Sequence, residues 1–544
     1  MKRRILSVLL ACGMLSSLVA CGGDKKPAQN GGDVCTFESL YTSSNKDVLQ
    51  NGEEKIYTVD KNISGKEYVK LELHSNTNLL GKFTYQNVEN PAQIVEEEFF
   101  IEPSSEKIEF KQFFDAFRDN GVGLFKKHLM SITLKNLDER TAEVQLVDVS
   151  VANRGVPAVD KEIYLEKEGL KVGADLAMGG TLSYLEKTDY NGQTIDEIID
   201  FNNNIYIGVN AKEKAATHLS SSVNLINIHD AGREIQQAYY ADIGGSMQEA
   251  TGENGYDRRW SYTATREGYY WPYNPVQGGD EVCNLSQIID YEQTDDCIYV
   301  KVRAMDWANG KARPEHKGDD YEEVKNGRTT KSYIENRYKI QDGMLYVDNR
   351  FVDWNGFTDM ENIKSHTMEI PATYIVHPFN TYVCYTGNLP WSLDDKSYDI
   401  TTNMLGWWDE NAHINEHHPE DWFAWVNDEM FGVGLFIPNA GAYISGRNDP
   451  TSHAALTNNR TAFESKMAKD YLYNKKAPTS EYTSSYVGNT SYTAPVANVR
   501  MKEYVPFSYS YVVAVDYLES MRSLFREIHR SGIINNEGLK AWDY

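Results

Sequence analysis

Asn224 to Asp280 holds the densest set of side chains able to do chemistry in this 544-residue chain. The run Asn224-Leu-Ile-Asn-Ile-His229-Asp230-Ala-Gly-Arg233-Glu234-Ile-Gln236-Gln237-Ala-Tyr239-Tyr240 is followed by Trp271-Pro-Tyr273-Asn274-Pro-Val-Gln277-Gly-Gly-Asp280. A pyranose ring offers hydroxyls in fixed directions and an apolar C–H face. A pocket for it therefore needs amides and charged groups beside flat Trp or Tyr surfaces. Arg233, Gln236, Gln237, Asn274, Gln277 and Asp280 supply the first kind, and Tyr239, Tyr240 and Trp271 the second. The competing reading makes the rings sheet core and the polar residues turn caps.

Hydrolysis of a glycosidic bond needs one protonated carboxyl for the leaving oxygen. It also needs an ionised carboxylate for water or the anomeric carbon. Asp230 and Glu234 are the nearest pair, with His229 and Arg233 beside them to shift their proton affinities. Four residues apart, the two carboxylates share a face only in a helix, and Gly232 argues against one. Glu369, Asp280 and Glu420 are then the candidates for the second carboxylate. Arg233 suits a bidentate pair with a carboxylate, the protein's own or that of a uronic acid. A structural salt bridge is its alternative role.

His413-Ile-Asn-Glu416-His417-His418-Pro419-Glu420-Asp421-Trp422 sets two histidines at the spacing of ligands on one helical face. No third ligand stands out and Pro419 stops a helix, so the segment reads as a polar loop and no metal is expected. There is no P-loop, no dinucleotide glycine fingerprint and no Gly-x-Ser-x-Gly elbow, so no cofactor is expected either.

The elements that must hold these groups are strands. Val69, Leu71 and Leu73 alternate with polar neighbours, as do Ile298, Val300, Val302 and Ala304, and again Tyr509, Tyr511, Val513 and Val515. Asn51-Gly52, Asn120-Gly121, Asn191-Gly192, Asn326-Gly327 and Asp342-Gly343 are hairpin punctuation. Trp422–Val426 and Phe431–Pro438 read as a paired hairpin. The clearest helix is Asp516–Arg530, with Leu518, Met521, Phe525 and Ile528 on one side. An all-β fold follows, with a turn-rich boundary at Asn153-Arg154-Gly155-Val156-Pro157. It divides a β-sandwich over residues 34–155 from a large multi-sheet domain over 160–544. No repeat of fixed period is present.

The start of the chain sets its address. Lys2, Arg3 and Arg4 precede an apolar run, Ile5 to Ala20, too short for a permanent membrane span. Leu18-Val19-Ala20-Cys21 has the form at which a bacterial lipoprotein is cut and lipidated. Residues 1–20 are thus expected to be a signal peptide, Cys21 the lipidated residue, and 21–33 a flexible tether. The formal charge of −25 argues against nucleic acid as a partner, because phosphate recognition demands clustered Lys and Arg. Cys283 and Cys297 are candidates for a bridge, and unpaired thiols are the alternative.

The Leu-Val-Ala-Cys signal and Gly-Gly-Asp-Lys-Lys tether resemble envelope lipoproteins of Bacteroides-type bacteria, many of which process glycans. Leu170 to Leu185, with Gly179-Gly180-Thr-Leu-Ser-Tyr-Leu, resembles the opening strands of galactose-mutarotase-like β-supersandwich domains. The N-terminal part resembles a jelly-roll module of the carbohydrate-binding kind. The resemblance implies a sugar lying across a concave sheet, in glycoside hydrolases, polysaccharide lyases or epimerases. Taken with the residues, it sets the expectation: a lipid-anchored enzyme of the outer membrane acting on an oligo- or polysaccharide. A glycoside hydrolase leads. A lyase on a uronic-acid glycan and a non-catalytic glycan-binding lipoprotein are the rivals.

Overall fold

Period-two alternation of apolar residues becomes strands almost throughout. The computed structural model describes residues 37–66, 68–113, 126–152, 162–189, 224–228, 233–239, 274–280, 285–307, 329–354, 365–376, 379–402, 413–416, 419–438, 468–475, 490–500 and 504–534. Every strand pairing among them is antiparallel, and the one α-helix is Leu518–Ser531. The all-β expectation holds.

Two sheets face each other over the N-terminal third. One runs in the order Glu54–Asn62, Lys127–Asn136, Leu79–Asn87, Ile94–Ile101. The other runs Glu38–Thr42, Ala142–Ala152, Tyr68–Ser75, Ile108–Phe113, with Asp47–Leu49 also on Ala142–Ala152. Leu71, Leu73, Phe83, Phe99, Ile132 and Val149 fill the space between them. The outward positions carry charge instead, such as Lys70 against Glu72 at 2.9 Å and Lys82 against Glu96 at 3.0 Å. Among the described residues of this part, Phe37 is the one exposed aromatic ring, and it packs on Tyr68.

Glu162–Lys167 opens a system of 18 strands that ends with Phe507–Tyr517. Its longest hairpin, Thr329–Gln341 with Met344–Asp353, turns at Asp342-Gly343, whose φ values of 53° and 70° are those of a two-residue turn matched to strand twist. Asn51-Gly52 also lies in a turn; Asn120-Gly121, Asn191-Gly192 and Asn326-Gly327 lie outside the described residues. Trp422–Val426 pairs with Phe431–Phe436, the expected hairpin. His413–Glu416 is a strand paired with Ala468–Lys475, which corrects the loop reading for those four residues, while Pro419 to Asp421 lie in a turn. His417 itself lies outside the described residues.

The helix lays Leu518, Met521, Phe525 and Ile528 onto Val512, Ala514 and Trp422, as its spacing predicts. The apolar cluster of the N-terminal sheets also takes in Ile289, Tyr333, Val352 and Trp354 from the 18-strand system. Phe100 N donates to Tyr333 Oη at 3.3 Å, Arg303 Nη1 donates to Glu98 O at 3.0 Å, and Lys111 meets Asp290 at 2.8 Å. Arg350 is paired with Glu102 and, at 3.0 Å, with Glu335. Residues Asp33–Tyr544 accordingly form one compact unit. The expected boundary at 153–157 and the segments 1–20 and 21–33 lie outside the described residues.

Candidate functional site

Ile235–Tyr239 is the strand around which the expected site residues fall, and its alternation sorts them onto two sides. Ile235 and Tyr239 enter the large core, where Tyr239 stacks on Phe351 at 3.9 Å. Gln237 points the same way. Its Nε2 donates to Asn336 Oδ1 at 2.8 Å and to Glu335 O at 3.0 Å, and its Oε1 accepts from Tyr239 Oη. Asn336 Nδ2 continues the chain to Asn349 Oδ1 at 2.8 Å. Gln237 and Tyr239 thus belong to a buried polar network between the sheets, the structural alternative entertained for them. Gln277 ties strands together, its Nε2 donating to Gly179 O at 3.1 Å and its Oε1 accepting from Gln237 N at 3.3 Å.

The opposite side gathers a different set. Gln236 is the strand partner of Ala372, and Ala238 is the partner of both Glu369 and Val276. Partners in an antiparallel pair project to the same face, so Gln236, Ala238, Glu369 and Ala372 share one. Tyr374, the partner of Tyr492 in the next strand, stacks on it at 4.5 Å. With Ala372 and Ala494 the two tyrosines form a small apolar cluster apart from the main core. The Arg233 guanidinium lies 4.9 Å from the Tyr374 ring centroid. Asn274 sits two residues before Val276, on the same side by alternation. Its Oδ1 is buried with no hydrogen-bond partner among the described residues.

Glu234 stands at the end of this face with φ 64°, in the left-handed region that a glutamate rarely adopts. Two backbone bonds hold it there: its N–H donates to Asn227 O, and its carbonyl accepts from Tyr374 N, each at 3.0 Å. A non-glycine residue pinned in a strained conformation beside polar groups is the kind of outlier that marks function. Gln236 Oε1 accepts from Gly278 N at 2.7 Å, which fixes the amide on this face. Asp280 is buried at the end of the Asn274–Asp280 stretch.

Glu420 is elsewhere. Its carboxylate takes a bidentate fork from Arg522, Nε to Oε2 at 2.8 Å and Nη2 to Oε1 at 2.6 Å, and Trp422 Nε1 donates at 2.7 Å. The guanidinium lies 4.5 Å from the Tyr385 ring centroid, and its Nη1 donates to Tyr398 Oη at 3.1 Å. Carboxylate and guanidinium are both fully buried, which makes Glu420 an anchor of the C-terminal helix and not part of the face around Glu369. His229, Asp230, Tyr240, Trp271, Cys21 and Cys283 lie outside the described residues. Among the described residues, no three His, Cys, Asp or Glu side chains converge as metal ligands, and no helix is long and apolar enough to cross a membrane.

Sequence reasoning missed Tyr374, Tyr492 and the alanines of this face. Their signal was present as Ala372-x-Tyr374 and Tyr492-x-Ala494, small and large residues two apart on one side of adjacent strands.

No family model matches the chain, and no curated protein matches it. Among solved structures it is similar to a galactose mutarotase-like protein from Lactobacillus casei, at 8% identity and a TM-score of 0.30, over 65% of this chain and 99% of that one. It is similar to a protein in glycosyl hydrolase family 38 from Enterococcus faecalis, at 9% identity and a TM-score of 0.28, over 86% of this chain and 46% of the other. A family 11 carbohydrate-binding module of a Clostridium thermocellum cellulosomal cellulase matches 22% of this chain over 89% of its own length, at 12% identity and a TM-score of 0.16.

Proposed function

We propose that the protein processes a glycan on the sheet face carrying Arg233, Gln236, Asn274 and Glu369, working from a lipid anchor on Cys21 at the outer membrane. The profile of that face carries the reading. Ala238, Ala372 and Ala494 end one carbon above the sheet, while Tyr374 and Tyr492 rise on one side and Glu369 on the other. These residues are all buried in this structure, so a sugar must displace what covers them; a ring then seated over the alanines meets aromatic surface for its C–H face and amide or guanidinium groups for its hydroxyls. Asn274 Oδ1 supplies an acceptor for one of those hydroxyls.

We infer hydrolysis, with Glu369 and Glu234 as the carboxylate pair and Asp230 and His229 as the further candidates from the sequence. Glu369 stands level with Ala238, four residues from Glu234 along the strand. That is a span of roughly 13 Å between Cα levels. It suits the wider carboxyl gap of an inverting pair, about 6.5–9.5 Å, better than the gap of about 5 Å in a retaining one.

Polysaccharide hydrolysis measured by release of reducing ends tests this. Glu369→Gln is expected to lower kcat by about 10²–10⁴, and Tyr374→Ala to raise KM with a smaller loss in kcat. Proton NMR of the first product formed should show the inverted anomer. Full activity in Glu369→Gln would overturn the assignment. An unsaturated, ultraviolet-absorbing product would make the protein a lyase, and glycan retention without turnover a binding protein.

A further inference from the structure

We propose that Glu162, Asp175 and Thr181 form a binding site for a divalent cation of the calcium type, separate from the glycan face. Strand register aligns the three: Glu162 is the partner of Asp175, and Asp175 the partner of Thr181. Their side chains therefore leave the same face of three adjacent strands, Glu162–Lys167, Leu170–Asp175 and Thr181–Lys187. Asp175 and Thr181 are fully buried and Glu162 is half-buried.

Carboxylates set directly opposite each other across a strand pair repel unless positive charge intervenes. Glu162 and Asp175 face each other in this way, and a cation between them would relieve a repulsion that burial strengthens. The second observation is Thr181, whose Oγ1 is buried without any hydrogen-bond partner among the described residues. It is an oxygen on the same row that those residues do not use.

The surroundings complete an oxygen-only donor set. Tyr164 Oη and Ser183 Oγ donate to Glu162, the latter at 3.0 Å. Asp175 Oδ1 accepts from Ala177 N at 2.8 Å, which fixes its carboxylate. The nearby cation, Lys171, lies over the rings of Tyr164 and Tyr184 at 4.9 and 5.5 Å from their centroids. Carboxylates and hydroxyls without sulfur or imidazole suit a hard cation with flexible geometry, calcium before zinc. The two carboxylates together match its charge.

Calcium chloride titrated calorimetrically into the full chain at pH 7 tests the site. Saturable binding is expected, together with a Tm rise of about 2–4 °C. Glu162→Gln and Asp175→Asn should each abolish both effects, since the amides keep the hydrogen bonds and the turn cap but not the charge. Thr181→Val should weaken the affinity with the acids intact. A folded chain that gives no calcium response overturns the proposal. So does a calcium response undiminished in both acid variants.

Discussion

Glu420 and Glu369 are both buried glutamates, and only their neighbours separate them. Arg522 and Trp422 take up the Glu420 carboxylate in a dry, aromatic-walled slot. Removing one partner of such a pair strands the other charge. Arg522→Leu is therefore expected to cost about 3–5 kcal/mol in urea unfolding, with turnover per folded molecule unchanged. Glu162 makes a second residue-scale prediction. Its carboxyl is held near 8 in the fold against an ordinary 4.5, so the folded state binds the extra proton. Its contribution to stability is complete below about 4.5 and is lost as pH rises through about 8. Without added calcium, melting temperatures across pH 5–9 should fall with pH, and Glu162→Gln should flatten that slope. Neither pairing could be found in the sequence, because Glu420 and Arg522 stand some hundred residues apart in the chain and the Glu162–Asp175 row exists only once strands are in register. The polar density of 224–280 was legible; which acidic residue shares a face with the amides was not, since the extra residue between Glu369 and Ala372, opposite Gln236 and Ala238, shifts the alternation of that strand.

At the scale of elements, local chemistry was far more readable. Period-two runs became the strands Tyr68–Ser75, Cys297–Asp306 and Phe507–Tyr517, and period 3.6 became the helix Leu518–Ser531. Short segments resisted: four residues at His413–Glu416 carry too little pattern to distinguish strand from loop, and their partner Ala468–Lys475 decides the matter. The Gly179-Gly180 turn shows what position demands of residue type. Both glycines have positive φ, and a Cβ on Gly179 would come within 1.9 Å of Gln277 O. Gly179→Ala should lower stability by about 2 kcal/mol or more, seen as a reduced urea midpoint with an unchanged slope. Because Gln277 Nε2 donates to Gly179 O and its backbone pairs with the strand of Gln236, the same variant should also weaken glycan turnover.

For the whole molecule, the all-β architecture followed from pattern, yet the extent of the large sheet system did not. Its strands pair across long intervals, Leu345 with Val513 and Gln236 with Ala372, and no local signal announces such partners. The junction between the N-terminal sheets and the rest is likewise invisible in the sequence, because Phe100, Tyr333 and Trp354 read as ordinary core until they meet. Calorimetry should show one endotherm for the full chain. Trp354→Ala, costing about 3–5 kcal/mol, should shift that endotherm as a whole without splitting it. The shared apolar seam also bears on descent. Modules joined by a loose string can be shuffled between genes, duplicated or lost at little harm. A gene trimmed to the later strands alone would instead expose Ile289, Tyr333, Val352 and Trp354 to water, so the two parts are bound to be inherited together.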